Sequence, residues 1–145
     1  VGVYAPQLTE VAATVLGQVG AQRALVVHGS DGMDEITLTG PTRVSEWDGS
    51  KVKTYEVRPG DAGLSEVMAR DLVGGSPEDN AKILRSILEG DEGPPRDVVL
   101  LNAAAALMAA GKATDLKDGV GKAADSIDSG NALKALERLI EVSNE

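Results

Sequence analysis

Two adjacent carboxylates, Asp34 and Glu35, follow a glycine-bearing polar stretch that begins after His28. On a regular strand, adjacent side chains point to opposite faces of the sheet. Where a loop enters a strand, both carboxylates can instead face one cation or a pair of cations. Hard oxygen ligands suit Mg²⁺, which keeps several waters and bridges to substrate phosphates. By residue type and spacing alone, a solvated acidic turn is the favoured interpretation, because most Asp-Glu pairs on glycine-bearing loops bind no cation.

Three further positions invite a chemical interpretation. His28 is expected to end a buried strand, where a lone histidine is more often a hydrogen-bonded structural residue than a base. Asp31 could cap the loop or reach a metal-bound water, and loop capping is favoured. The Gly74-Gly75 dipeptide could form a phosphate-binding nest, but a turn leading into the next helix is the preferred interpretation.

The elements that must position these residues can be derived from the apolar pattern. A helical stripe over residues 6–19 begins near Pro6 and ends at Gly20, and a continuous apolar run follows at 24–28. Such a run is typical of a strand buried on both faces. With residues 1–4 as the end of an earlier strand, the order predicts a βαβ unit, and ligands bind at the carboxyl ends of such strands.

Further strands are predicted at 35–38, 43–48 and 52–57, with a hairpin turn at 48–50. A short helix is predicted within 64–72, and four longer helices follow, the first two opened by Ser76-Pro77 and Pro94. We therefore predict one α/β domain over residues 1–145. Its expected core is a partial, mainly parallel sheet with covering helices and a β-hairpin.

Composition excludes several classes of function. The formal net charge is −9, from 23 acidic and 14 basic residues, so a nucleic-acid backbone would be repelled. The chain has no cysteine, which removes disulfides, thiolate metal sites and a cysteine nucleophile. No basic-then-apolar leader opens it and no apolar run approaches membrane length. We expect a cytoplasmic protein that binds neither nucleic acid nor membranes.

A series of short blocks resembles the anthranilate phosphoribosyltransferases, and it extends over essentially the whole chain in the family's order. The blocks are Val1-Gly-Val-Tyr-Ala-Pro6, Ala24-Leu-Val-Val-His-Gly-Ser-Asp-Gly-Met-Asp-Glu-Ile36, Gly40-Pro-Thr42, Asp71-Leu-Val-Gly-Gly75, Asn80-Ala81, Ile87-Leu-Glu-Gly90, Gly93-Pro-Pro-Arg-Asp97, Leu101-Asn-Ala-Ala104, Gly119-Val120 and Ile127-Asp-Ser-Gly-Asn-Ala132. Met33 stands where the family often has another aliphatic residue. Asn80 and Asn102 match family positions that we interpret as capping or helix-packing residues.

The resemblance implies a fold and an activity. The chain would be the carboxyl-terminal portion of the α/β domain of the nucleoside phosphorylase and phosphoribosyltransferase type. The family transfers the phosphoribosyl group of 5-phosphoribosyl 1-diphosphate to anthranilate in tryptophan biosynthesis. Its acidic pair binds Mg²⁺ and aligns with Asp34 and Glu35, so these are the expected metal ligands. Glu35 would reach both metal positions and Asp34 the second.

The resemblance also implies that other parts of the enzyme precede this portion. The family's glycine-rich diphosphate loop, its Lys-His-Gly-Asn segment, a metal-binding serine and an anthranilate-contacting arginine are all expected upstream of Val1. So is the helical domain through which the family forms homodimers. We therefore expect this chain alone to be catalytically inactive and to expose apolar surfaces that favour self-association.

Other functions remain open at this point. A non-catalytic relative of the same fold could bind nucleic acid, although the charge of −9 and the retained acidic pair oppose that. A nucleoside phosphorylase of the same broad fold is a second alternative, and the blocks at 29–35 and 80–97 favour the anthranilate family instead. A structural subdomain without activity is a third.

Overall fold

Three short segments form the sheet, and each contains the β-branched or aromatic residues that favour strands. Strand β1 spans Ala24–Gly29, β2 spans Thr42–Trp47 and β3 spans Val52–Val57. They lie in the order β1-β2-β3, and both neighbouring pairs are antiparallel. The computed structural model describes every residue, Val1–Glu145.

The α/β class, the covering helices and the hairpin are as predicted, but the strand directions differ from the expected, mainly parallel sheet. Parallel pairing occurs at one bridge, between Gly2 and Val27. There the Val3 amide donates to Val27 and the Val27 amide donates to Val1. The continuous apolar run of β1 suggested parallel neighbours because both its faces are covered. Helices on the two sides provide that cover, and it does not depend on strand direction.

Each face of the sheet packs against a different helix. Helix α1 (Leu8–Gln18) lies on one face, where the Ser45 hydroxyl donates to Thr9 at 2.9 Å. Val27 and Val44 point to the opposite face and pack with Leu101 in the main hydrophobic core. Successive strand residues therefore point to α1 and to the core in turn, as strand geometry requires.

Four helices follow the sheet: α2 (Pro77–Leu88), α3 (Pro94–Ala109), α4 (Leu116–Asp128) and α5 (Asn131–Ser143). Helices α2 and α3 begin with prolines, at positions where a backbone N–H would have no hydrogen-bond partner within the helix. The Ser76 side chain accepts from the Asp79 amide, so the predicted amino-terminal cap of α2 is confirmed. A second apolar cluster joins α2, α3 and α4 through Ile87, Leu100, Ala123 and Ile127.

Two predicted elements are wrong. Residues 35–38 form no strand, and only Ala69–Leu72 of the segment 64–72 is helical, as a short 3-10 helix that follows another at Pro59–Ala62. Alternating apolar residues at 35–38 reflect burial of an irregular segment instead. No helix in the structure is both long and apolar enough to cross a membrane.

One side of α1 is apolar and exposed, as the sequence led us to expect. Val11, Val15 and Val19 follow one another at helical spacing and are 59%, 49% and 75% exposed. The carboxyl-terminal helix α5 also presents apolar side chains, among them Leu139 at 64% exposure. Whether these surfaces cause self-association stays a prediction.

Helices α3 and α4 approach each other most closely at Gly119. A Cβ atom on this glycine would lie 2.7 Å from Ala104 Cβ and 2.8 Å from Ala104 Cα. The contact lets the two backbones pack beside the main core, to which Ala104 and Leu116 both belong.

We expect Gly119→Ala to lower the free energy of unfolding by about 1–3 kcal/mol, because an added methyl group overpacks this contact. Gly121 lies in the same helix with no neighbour within 4 Å of its added Cβ. Gly121→Ala should therefore stabilise by about 0.5–1 kcal/mol through helix propensity. Urea unfolding measures the change in the free energy of unfolding of each variant. Equal changes for Gly119→Ala and Gly121→Ala would contradict the packing account.

Candidate metal centre

The predicted metal ligands lie in the connection between β1 and β2, residues 30–41, which we term the acidic loop. It leaves the sheet at the carboxyl end of β1, as the sequence predicted. Asp34 and Glu35 are exposed, whereas Ile36 and Leu38 are buried members of the main core. The loop thus presents its acidic residues to solvent and is held to the protein by the residues that immediately follow them.

Asp31 shapes the first half of the acidic loop. Its Oδ2 accepts hydrogen bonds from the hydroxyls of Thr37 at 2.5 Å and Thr39 at 2.7 Å. Its Oδ1 accepts from the amide of Met33 at 3.1 Å. Slight burial favours the neutral carboxyl, but these hydrogen bonds, that from Thr37 foremost, lower the pKa of Asp31 overall. Loop capping, the preferred sequence interpretation of Asp31, agrees with this geometry.

Helix α3 contacts the acidic loop through Asn102. The Asn102 Oδ1 accepts from the Ile36 amide at 2.9 Å, and its Nδ2 donates to the Ile36 carbonyl, also at 2.9 Å. The same Nδ2 donates to the Val98 carbonyl one turn earlier in the helix at 3.0 Å. Both peptide polar groups of Ile36 are therefore satisfied by a single side chain from a distant element.

Gly2 closes the other side of the acidic loop. A Cβ on Gly2 would lie 1.4 Å from the Asp34 carbonyl oxygen and 2.4 Å from its carbonyl carbon. No side chain fits between the two backbones, so glycine is required by close approach at this position. The parallel bridge from Gly2 to Val27 fixes the segment that makes this contact.

The two carboxylates have no cationic partner in the protein. The ion pairs of the chain involve other residues. Burial raises the pKa of Glu35, and repulsion from the Asp34 carboxylate acts in the same direction. An uncompensated acidic pair of this kind is stabilised by any divalent cation that binds it.

The donor set fits Mg²⁺ but does not complete its coordination shell. Asp34 and Glu35 supply hard oxygen ligands, and no group of three or more histidine and acidic side chains is arranged to hold a metal. Mg²⁺ is commonly bound by one or two carboxylates, with waters and substrate phosphates as the other ligands. Two exposed carboxylates at a loop are consistent with that mode.

Neither His28 nor the glycine pair belongs to this arrangement. The His28 Nδ1 lies 2.8 Å from the Val3 carbonyl oxygen, a contact in which the ring N–H donates to the backbone. The Gly75 amide donates to Asn80 Oδ1 at 2.8 Å, and Asn80 Nδ2 donates back to Gly75 at 3.3 Å. Both observations agree with the structural interpretations, and the Gly75 amide is not free to bind phosphate.

Beside Glu35 lies a groove of about 580 Å³ between β1, α1 and α3. Its walls are mostly apolar, and Gly2, Glu35 and Asn102 form part of its lining. Glu35 therefore lies at the border between solvent and an apolar surface, which accounts for the desolvation that raises its pKa.

Sequence reasoning did not identify the roles of Gly2 and Asn102 at the loop. Asn102 was interpreted as a capping or packing residue, yet it is the only polar residue between Val98 and Ala110. Buried polar groups are hydrogen-bonded in almost all proteins, so an isolated amide within an apolar helix indicated a specific partner. The identity of that partner required the fold. Gly2 carried no comparable signal.

Most of the chain matches a known protein family. The pattern of the family described as glycosyl transferase family, a/b domain, matches residues 1–133. The anthranilate phosphoribosyltransferase of Rhodospirillum rubrum is 53% identical over 141 residues, which are 97% of this chain and 41% of that protein. The chain thus spans about two fifths of the length of such relatives.

Solved structures show the same similarity in three dimensions. The anthranilate phosphoribosyltransferase of Thermus thermophilus superposes with a TM-score of 0.85 at 42% identity, over 94% of this chain and 40% of that one. The Saccharomyces cerevisiae enzyme in complex with PRPP and Mg gives 0.88 at 33% identity, over 99% and 42%. That enzyme has also been solved with 4-fluoroanthranilate.

The Asp31 hydrogen bonds predict a pH-dependent contribution to stability. At pH 7, Asp31→Asn should lower the free energy of unfolding by about 1 kcal/mol, because charge-assisted bonds are replaced by weaker ones. The folded-state pKa lies below the ordinary value of 3.8, so this stabilisation is fully present above that value and is lost as pH falls through the folded pKa. In urea unfolding between pH 7 and pH 2, the difference in the free energy of unfolding between the unsubstituted chain and Asp31→Asn should become smaller below about pH 4. A constant difference would contradict the proposed ionised state.

Proposed function

The chain belongs to the glycosyl transferase family, within its a/b domain, and from this membership we propose that it acts as part of an anthranilate phosphoribosyltransferase. The observation that carries the proposal is the exposed, unpaired Asp34–Glu35 pair at the carboxyl end of β1. The relatives named for this activity, and the yeast structure with PRPP and Mg, support it.

The proposed reaction belongs to tryptophan biosynthesis and is a group transfer at the anomeric carbon of 5-phosphoribosyl 1-diphosphate. The bond from this carbon to the pyrophosphate oxygen breaks, and a bond to the anthranilate nitrogen forms. Pyrophosphate leaves with the electron pair, and the amine loses one proton. Positive charge develops on the sugar and negative charge on the leaving group, so groups that stabilise the leaving charge accelerate the reaction.

Asp34 and Glu35 are the proposed Mg²⁺ ligands in this chain. When bound, the cation would supply positive charge beside the oxygens of the leaving pyrophosphate. The two carboxylates also prevent an anionic substrate from binding here without a cation, because the pair repels phosphate. Following the family resemblance, Glu35 would contribute to both metal positions and Asp34 to the second.

The acidic loop keeps the two carboxylates ordered for this role. Asp31 accepts hydrogen bonds from Thr37 and Thr39 within the loop, and Asn102 holds the residue directly after Glu35. These contacts restrict the loop before any ligand binds, so the loop loses less conformational entropy when a ligand binds.

The remaining substrate contacts are proposed to come from the rest of the enzyme, and this chain by itself should not catalyse the reaction. The complete enzyme is proposed to be a homodimer through its helical domain.

The test combines this chain with the preceding portion of the Rhodospirillum rubrum relative, as a mixture and as a covalent fusion. Turnover is followed as the loss of anthranilate fluorescence with 5-phosphoribosyl 1-diphosphate and Mg²⁺. We expect activity in the combined protein and none in the chain alone. Asp34→Asn with Glu35→Gln should lower kcat at least ~100-fold, the usual loss for a group that stabilises transition-state charge.

A matched control is present in the same chain. Asp91 and Glu92 form a second exposed Asp-Glu dipeptide, in the turn between α2 and α3. Asp91→Asn with Glu92→Gln removes the same charges at another place and should leave turnover unchanged. Activity that survives the loss of Asp34 and Glu35 would contradict the proposal, as would an inactive fusion.

A further inference from the structure

Several contacts hold the acidic loop, and in one of them a single side chain, that of Asn102, bonds both the amide and the carbonyl of one residue. Gly2 contacts Asp34 through its backbone, and Asp31 acts within the loop. Asn102 belongs to α3, 66 positions later in the chain than Ile36. It therefore links the helical half of the protein to the residue that follows Glu35.

Both polar atoms of the Asn102 side chain are hydrogen-bonded. Its Oδ1 accepts one bond and its Nδ2 donates two, with distances of 2.9, 2.9 and 3.0 Å. Two of the three bonds reach the two peptide polar groups of Ile36, which is 2% exposed and has no strand partner. A side chain that binds an amide and a carbonyl of the same residue fixes both its position and its rotation.

Fixing Ile36 in this way determines where the preceding residue can point. The Glu35 carbonyl is part of the peptide group whose amide donates to Asn102. Free rotation of that peptide would move the Glu35 side chain relative to Asp34, whose carbonyl group is itself held close to Gly2. Without a strand to hold residues 35–38, no ladder hydrogen bond can substitute for Asn102.

We infer that Asn102 is a positioning residue for the acidic pair: by holding the Ile36 peptide groups, it orients Asp34 and Glu35 for joint binding of a divalent cation. Asn102 contacts the loop backbone and neither carboxylate. The cation-binding part of the inference rests on the proposed function, whereas the positioning part concerns the chain itself. The two can therefore be tested separately.

Asn102→Ser is the preferred variant. A serine hydroxyl within a helix can bond the carbonyl four residues earlier, which keeps a partner for Val98. It is too short to replace the pair of bonds to Ile36. The variant thus removes the contact with the loop and leaves the helix hydrogen-bonded. Asn102→Ala, which removes all three bonds, serves as the second variant.

Hydrogen exchange of the Ile36 amide, followed by NMR, tests the positioning part. Asn102→Ser should accelerate this exchange about tenfold, the change that corresponds to about 1.4 kcal/mol. In the unsubstituted chain, a scalar coupling across the hydrogen bond from the Ile36 nitrogen to the Asn102 side-chain carbon should be observed. An absent coupling, or unchanged exchange in a folded variant, would overturn the inference.

Mn²⁺ tests the cation-binding part, since it takes the same oxygen ligands as Mg²⁺ and broadens nearby NMR signals. In the unsubstituted chain, low Mn²⁺ should broaden the amides of residues 34–36 first. In Asn102→Ser the concentration for half-maximal broadening should rise about tenfold. Unchanged broadening in the variant would show that the pair does not need Asn102 and would overturn its positioning role.

Asn80 supplies the matched control, because it makes the same two-bond contact with Gly75 in a turn without proposed ligands. Asn80→Ser should accelerate exchange at Gly75 and leave both Ile36 exchange and Mn²⁺ broadening unchanged. Two results together would support positioning by Asn102 and contradict the proposed metal function. They are faster Ile36 exchange in Asn102→Ser and the absence of Mn²⁺ broadening at residues 34–36 in every protein tested. Failure of the positioning inference and failure of the proposed metal function therefore give different results.

Discussion

The acidic loop crosses the end of the sheet without pairing as a strand, so each of its buried peptide groups must find another partner. Ile36 finds both partners in Asn102. The Thr37 amide donates to the Thr42 hydroxyl, and the Leu38 carbonyl accepts from the Val67 amide. These substitutes for ladder hydrogen bonds come from three separate parts of the chain. The shape of the loop therefore depends on the assembled fold rather than on local sequence.

The same constraint explains why the acidic pair can remain exposed and unpaired. Ile36 and Leu38 are 2% and 0% exposed, and their burial offsets the cost of holding two like charges together. A basic partner would remove the repulsion between Asp34 and Glu35, but it would also compete with a cation. The carboxylates of Asp34 and Glu35 thus repel each other. Apolar burial and backbone hydrogen bonds of the residues that follow them stabilise the loop.

Much of the fold could be predicted because its signals are local. Prolines, caps and apolar spacing located all five long helices to within a few residues, and the hairpin between β2 and β3 followed from its turn residues. Strand direction could not be predicted from the apolar run of β1, because helices cover both of its faces and no parallel strand is needed there. Residues 35–38 were assigned to a strand since burial of an irregular segment gives the same apolar pattern.

For the site, the residue types of Asp34 and Glu35 allowed a cation but favoured a solvated turn, and only the wider resemblance to a known family predicted the metal role and a specific reaction. What surrounds the pair was not predictable in the same way. Gly2 and Asn102 are distant from the loop in sequence, and each acts through the loop's backbone, which leaves no pattern in composition or spacing. Only the assembled structure brings them to the same place.

We propose that Asp34 and Glu35 bind the divalent cation that accompanies 5-phosphoribosyl 1-diphosphate. An anomalous difference map tests it most directly, from crystals of the fusion with the Rhodospirillum rubrum portion grown with Mn²⁺ and this substrate. The account predicts a peak about 2.0–2.3 Å from a Glu35 carboxylate oxygen, with substrate phosphate oxygens on its other side. Substrate bound in the site with every manganese peak beyond ligand distance of both carboxylates would contradict the account.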